Sequence, residues 1–296
     1  MTASGAFQFD VSEVEYLRHG TTPYLARVFT PRGSGPFPMM VSLHGGAWCR
    51  ESRLTDEPIH EALARNGVIV ASLDFRMPPD ASYPGSMIDI NYGIRWAKAQ
   101  AAGLGGRADA VGVMGASSGG HQAMLTGMRP RDSRYASLPL AEHLTATGRQ
   151  EVVGHDATVR AAILLWPVID PLGRYHYAKQ LKAAGPPYPE IVDRVLPCHD
   201  QYWKTEEAMA EGNPVMALER GERVEMPPTL YLQATTDVAH PRPHLDRFVA
   251  AYRKAGGQVD LELYDAEGSG FARKTDTPTG ARSIARMLEF IHKHVG

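Results

Sequence analysis

Ser117 stands between Gly115 and Gly119 in "MGASSGG", a G-x-S-x-G pattern. In that pattern a serine hydroxyl is lifted clear of a sharp turn, where it can act as a nucleophile on a carbonyl. The small neighbours are needed because the turn strains the backbone at the serine. A second stretch, "LHGGAW", places Gly45 and Gly46 where the bare backbone can approach a substrate and aim N–H groups at it. Those amides, with that of Ser118, would hold the negative oxygen of a tetrahedral intermediate, and one such donor is worth about 2.7–4 kcal/mol of barrier. A third, "ATTDVAHP", offers Asp237 as the acid of a triad. The first two have a plainer reading: a glycine-rich turn and a tight loop. A phosphate cradle is disfavoured at the first, because His121 and Gln122 follow where a lysine would be wanted.

The elements that must position these residues can be read from the hydrophobic pattern. "FQFDVSEVEYL" and "YLARVFTP" alternate and predict two antiparallel strands. "MMVSLHGG", "VIVASLDF", "DAVGVMGAS", "RAAILLWPVID", "TLYLQATTD" and "DLELYDA" are short apolar runs, as buried parallel strands require. Between them lie helical patterns, among them "EPIHEALARNG", "SMIDINYGIRWAKAQAAG" and "PRPHLDRFVAAYRKAGG". The alternation predicts one α/β domain over 1–296, with a mainly parallel sheet of about eight strands covered by helices on both faces. Residues 130–157 are polar and loop-like. Residues 171–226, rich in proline and aromatics, predict a lid or cap inserted between strands.

Together, "HGGAW", "DFRMPPDASYP", "GASSGGH" and "ATTDVAHP" resemble, in order and spacing, the α/β-hydrolase carboxylesterases that carry an HGG oxyanion motif. That group includes hormone-sensitive-lipase-like, feruloyl-esterase-like and arylformamidase-like enzymes. The resemblance runs from about Tyr24 to the end of the chain, with "DFRMPPDASYP" altered from the group's form. It implies the α/β-hydrolase fold, a serine nucleophile at Ser117, an oxyanion hole at Gly45, Gly46 and Ser118, and an acid at Asp237.

It also exposes a departure. The group places its histidine in a loop after the last strand, and the matching loop here reads Gly268-Ser269-Gly270-Phe271. Ser269 occupies the histidine's position, and a serine hydroxyl cannot take a proton from Ser117 near neutral pH. Three readings stay open: a base moved elsewhere, an alteration of the loop, or non-hydrolytic chemistry on the same fold (lyase, cyclase or epimerase work), since fold does not fix function. His240, three residues after Asp237, is the first candidate for a moved base; a surface or capping role is its plainer alternative. His44 and His121 are weaker candidates, and Glu267 could orient a water beside the vacant place. A non-catalytic binding protein is a fourth alternative, disfavoured by the intact elbow and glycine turn.

Trp48 and Trp203 are expected as aromatic walls of a substrate pocket, with the plainer alternative that they are core. The expected partner is a small-molecule ester or acyl compound, in a monomer or homodimer. A net charge of −2 gives no reason to expect nucleic acid or an acidic membrane. No cofactor is expected, and no histidine or cysteine pair has metal-ligand spacing. Cys49 and Cys198, two lone cysteines, and a first segment without a basic or long apolar run point to the cytoplasm.

Overall fold

The computed structural model describes residues 6–140, 154–266 and 268–296. Residues 141–153 of the 130–157 loop and Glu267 therefore lie outside the described residues. Among those described, eight strands form one sheet: β1 (Phe9–His19), β2 (Thr22–Pro31), β3 (Phe37–Leu43), β4 (Ile69–Leu73), β5 (Gly106–Ala116), β6 (Ala162–Leu165), β7 (Thr229–Ala234) and β8 (Val259–Tyr264). Their order is β1-β2-β4-β3-β5-β6-β7-β8. β2 runs antiparallel to both neighbours and every later pairing is parallel. The chain starts the parallel part at β3, crosses to β4, then returns past β3 to β5. This reversal opens a crevice beyond the carboxyl ends of the central strands, where ligands of open α/β sheets sit.

The apolar runs of β3, β4, β6 and β7 are buried at every residue, as a sheet covered on both faces demands. The helices are α1 (Glu57–Ala64), α2 (Gly85–Gln100), α3 (Ser118–Met128), α4 (Pro171–Ala184), α5 (Ile191–Trp203), α6 (Glu206–Glu211), α7 (Pro214–Glu219), α8 (Arg242–Lys254) and α9 (Pro278–His294). One core, containing Trp96, Met124 and Phe248, lies on one side of the sheet; a second, containing Ile59, Met287 and Phe290, lies on the other.

Helices α4 to α7 fill the segment expected as a lid. Proline begins α4 and α7, where its missing N–H is harmless and its fixed φ suits the first turn. Asp170 and Asn213 cap them by accepting from Gly173 N and from Val215 N and Met216 N. α5 brings Tyr202 and Trp203 onto Trp48, in the turn after β3. Tyr202 stacks on the Trp48 ring at 5.5 Å and Trp203 meets it edge-on at 5.4 Å. Both tryptophans are fully buried in this cluster. The two indoles expected as pocket walls lie in one buried ring cluster that joins helix to turn. No described helix is long and apolar enough to cross a membrane.

Candidate active site

Ser117 ends the β5-to-α3 turn with φ of 53°, a left-handed value that costs a non-glycine residue energy. The turn is held from both sides, since Ser117 N donates to Leu165 O and Ser117 O accepts from Val168 N and His121 N. The flanking glycines have steric causes. A Cβ on Gly119 would stand 2.1 Å from Leu43 O, and one on Gly115 would stand 2.4 Å from the Gly119 backbone. The pattern read in the sequence is therefore what lets α3 start hard against β3 and β5.

His240 Nε2 lies 2.9 Å from Ser117 Oγ, and His240 Nδ1 lies 2.8 Å from Asp237 Oδ2. The three side chains form a continuous hydrogen-bond chain, with the two nearest in sequence only three residues apart. Local backbone chemistry makes that possible. Asp237 Oδ1 accepts from Ala239 N at 2.9 Å and from His240 N at 3.1 Å, an aspartate-closed turn that folds the chain back on itself. Pro241 then leads directly into α8. From β7, Gln233 Nε2 donates to His240 O at 2.7 Å, and Tyr231 OH donates to Gln233 Oε1. Ser269, at the position where the resemblance puts histidine, is exposed and stands outside this chain.

The electrostatics suit a neutral imidazole. Burial lowers the proton affinity of His240 below the ordinary histidine range, Asp237 opposes that, and the charges of Arg174 and Arg194 add to the lowering. Burial works to raise the Asp237 carboxyl, but the His240 ring and the two turn amides bring it below its usual value. The other two histidine candidates are held by contacts away from Ser117. Burial holds His121 down to about 4, with Nδ1 accepting from the Trp48 indole and Nε2 donating to Gly212 O. His44 stacks flat on Phe75 at 4.3 Å.

The glycine turn after β3 is tightly wound. Gly46, Ala47 and Trp48 all have positive φ, and a Cβ on Gly46 would stand 2.2 Å from Arg50 O. Trp48 N donates to Ser118 Oγ at 3.0 Å, tying the turn to the first residue of α3. Gly45 lies against Ser117, since a Cβ there would meet Ser117 Cβ at 3.4 Å.

The sequence reading missed Glu51. It too has a positive φ, 69°, and its Oε2 lies 3.1 Å from where a Gly45 Cβ would be. Burial raises its carboxyl above the ordinary range, while Arg273 and the Gly45 amide pull the other way. Arg273 comes from the segment following Ser269. Its Nε donates to Asp56 Oδ1 at 2.6 Å and its Nη2 stands 3.7 Å from Glu51. A carboxylate at the glycine turn had no signature in spacing, because it is the turn's winding that brings it there.

Comparison with known proteins follows these outlines. The BD-FAE family matches residues 27–192. Esterase LipC of Mycobacterium tuberculosis is 26% identical over 266 residues, covering 87% of this chain and 59% of LipC. Carboxylesterase NlhH of the same organism is 33% identical over 115 residues, 38% of this chain and 36% of NlhH. The chain thus spans less than two thirds of these curated relatives. Among solved structures, a hyperthermophilic esterase from Pyrobaculum calidifontis aligns with a TM-score of 0.74 at 20% identity, covering 98% of this chain and 84% of its own. A bacterial heroin esterase aligns at 0.73 and 20%, covering 100% and 86%. At that identity the likeness is one of fold, the α/β-hydrolase fold.

Proposed function

Given that the chain belongs to the BD-FAE family, we propose that it is a serine hydrolase acting on carboxylic esters, with a base moved from the loop after β8 to the loop after β7. Ser117 attacks the ester carbonyl while His240 Nε2 takes its proton. The amides of Gly45, Gly46 and Ser118 receive the oxyanion. His240 returns the proton to the departing alcohol, and water repeats the sequence on the acyl-enzyme. Asp237 fixes the imidazole tautomer and steadies the imidazolium. The observation that carries this reading is the 2.9 Å and 2.8 Å pair of contacts joining Ser117, His240 and Asp237.

The test is hydrolysis of p-nitrophenyl acetate and butyrate by the unaltered chain and by Ser117→Ala, His240→Ala and Ser269→His. The expected result is turnover that falls by ~10²–10⁴ without His240 and gains nothing from Ser269→His. Full activity in His240→Ala would overturn the relocated base.

One observation favours a second reading. A carboxyl held above its ordinary range at the oxyanion turn could deliver a proton to a substrate oxygen, as lyase, cyclase or epimerase chemistry needs. Under that reading Glu51→Gln abolishes turnover of the natural substrate, whereas under the hydrolase reading it preserves or raises ester hydrolysis.

A further inference from the structure

Cys49 and Cys198 stand 149 positions apart in the chain, and both are free thiols. The fold brings them into contact. Cys49 Sγ donates to Cys198 O at 3.5 Å, and the two thiols also hydrogen-bond to each other. Cys49 follows Trp48 in the glycine turn, where its N donates to Gly46 O at 3.1 Å. Cys198 lies on α5. The next residue, His199, meets the Trp48 ring edge-on at 4.9 Å, and Tyr202, one turn on, stacks against it. The sulfurs therefore lie where the lid helix is seated on the turn. The hydrogen bond from Cys49 and the guanidiniums of Arg50 and Arg194 hold the Cys198 thiol below its ordinary range, against the effect of burial. The same hydrogen bond, with burial, pushes Cys49 up, while Arg50 and Lys204 act against this. Cys198 is buried and Cys49 is only half-buried. A cysteine that merely fills space is inert. This pair combines a second thiol in contact, neighbouring cations and a sulfur partly open to solvent, the conditions under which thiols become a redox site.

We propose that Cys49 and Cys198 are a redox modification site: a hydroperoxide converts them to a disulfide that fastens α5 to the glycine turn, and a thiol reductant releases it. This holds whether or not the chain hydrolyses esters. The Cys198 thiolate attacks hydrogen peroxide, which is small enough to enter from the Cys49 side. The O–O bond breaks, a sulfenic acid forms and hydroxide leaves. That hydroxide takes the Cys49 proton and becomes water. The Cys49 thiolate then attacks the sulfenic sulfur, so that the S–S bond forms and the S–O bond breaks. The second hydroxide takes up the proton released when Cys198 ionised. The two sulfurs lose two electrons between them, and one peroxide becomes two waters. Because the bond closes so long a loop, it restricts the unfolded chain strongly and stabilises the fold.

The test treats the folded chain with stoichiometric hydrogen peroxide at neutral pH. Thiols that survive are alkylated, and the products are read by peptide mapping, non-reducing electrophoresis and thermal melts. The expected result is that both thiols disappear together and that one linked peptide joins Cys49 to Cys198 within a single chain. Tm should rise by about 5–10 °C, and dithiothreitol should restore both the thiols and the original Tm. Cys49→Ser and Cys198→Ser, given the same treatment, should form no such link and show no rise. Their melts also register any oxidation at methionine. Three results would each overturn the site: two thiols still alkylated after peroxide, oxygen added to either cysteine without a link, or a disulfide found only between two molecules. A fall in Tm of the linked chain, beyond that of the treated serine variants, would show that the bond strains the junction rather than fastening it, and would overturn the proposal as well.

Discussion

Asp237 both builds the turn that delivers His240 and orients the ring once it is delivered, using one carboxylate oxygen for each task. Asp237 and His240 thus form one hydrogen-bonded unit, closed at the other end by Gln233 on His240 O. Replacing Asp237 with Asn keeps an oxygen for the turn but presents an amide to Nδ1 or loses the turn. The expected loss is about 10³–10⁴ in kcat, with little change in KM. Steady-state kinetics on p-nitrophenyl butyrate checks it, and a drop confined to KM would argue against the assignment.

The pH profile follows from the direction of the His240 shift. In the proposed mechanism its neutral form is the base, and burial holds its pKa below the ordinary 6.5. The acidic limb of kcat/KM should therefore have its midpoint below 6.5, with full activity at neutral pH.

Stability should share that direction. His44, His60, His121, His199 and His240 are all buried and all pushed down by burial, His60 and His121 to about 4 and His199 to about 3. The unfolded chain binds protons at these sites near pH 6.5 while the folded one does not. Stability is then fully present above 6.5 and declines as the pH drops through that value toward the folded pKa values. Thermal melts between pH 8 and 4 would show it, and a flat Tm across that window would contradict it.

Glu51→Gly removes a carboxylate that competes for the Gly45 amide, and it relieves a positive φ that glycine tolerates. Under the hydrolase reading kcat should rise severalfold while Tm changes little, since the relief is offset by the weakened contact to Arg273 and a more flexible unfolded chain. A fall in kcat would favour the proton-donor reading.

Trp203→Ala should act on folding rather than on recognition. The ring is buried against Trp48, Tyr202 and Tyr83. The cavity should cost about 3–5 kcal/mol, read as a fall in denaturant midpoint that exceeds any effect specific to one ester.

Much of this was legible beforehand. Apolar runs gave the strands, and glycines at 45, 46, 115 and 119 marked where backbones touch. Those signals are short-range, because a strand's burial and a turn's steric needs are written in adjacent residues. His240 was readable as a candidate because its partner is three residues away. The rest depended on long-range placement. Glu51 reaches Gly45 only through a run of left-handed residues. For Trp48 and Trp203 the sequence left pocket wall and core both open, because side-chain type says that a ring will be covered but not what will cover it.

With Asp237 and His240 both in the loop before α8, β8, α9 and the loop 265–270 hold no member of the hydrogen-bonded trio. A polypeptide opened in that loop would keep Ser117, His240 and Asp237 on a single fragment, leaving the remainder to act as a sheet edge and a covering helix. This is therefore the place to split or permute the molecule. Reassembly of the two pieces would then act as a switch on activity through folding alone, with no reacting group having to cross the cut.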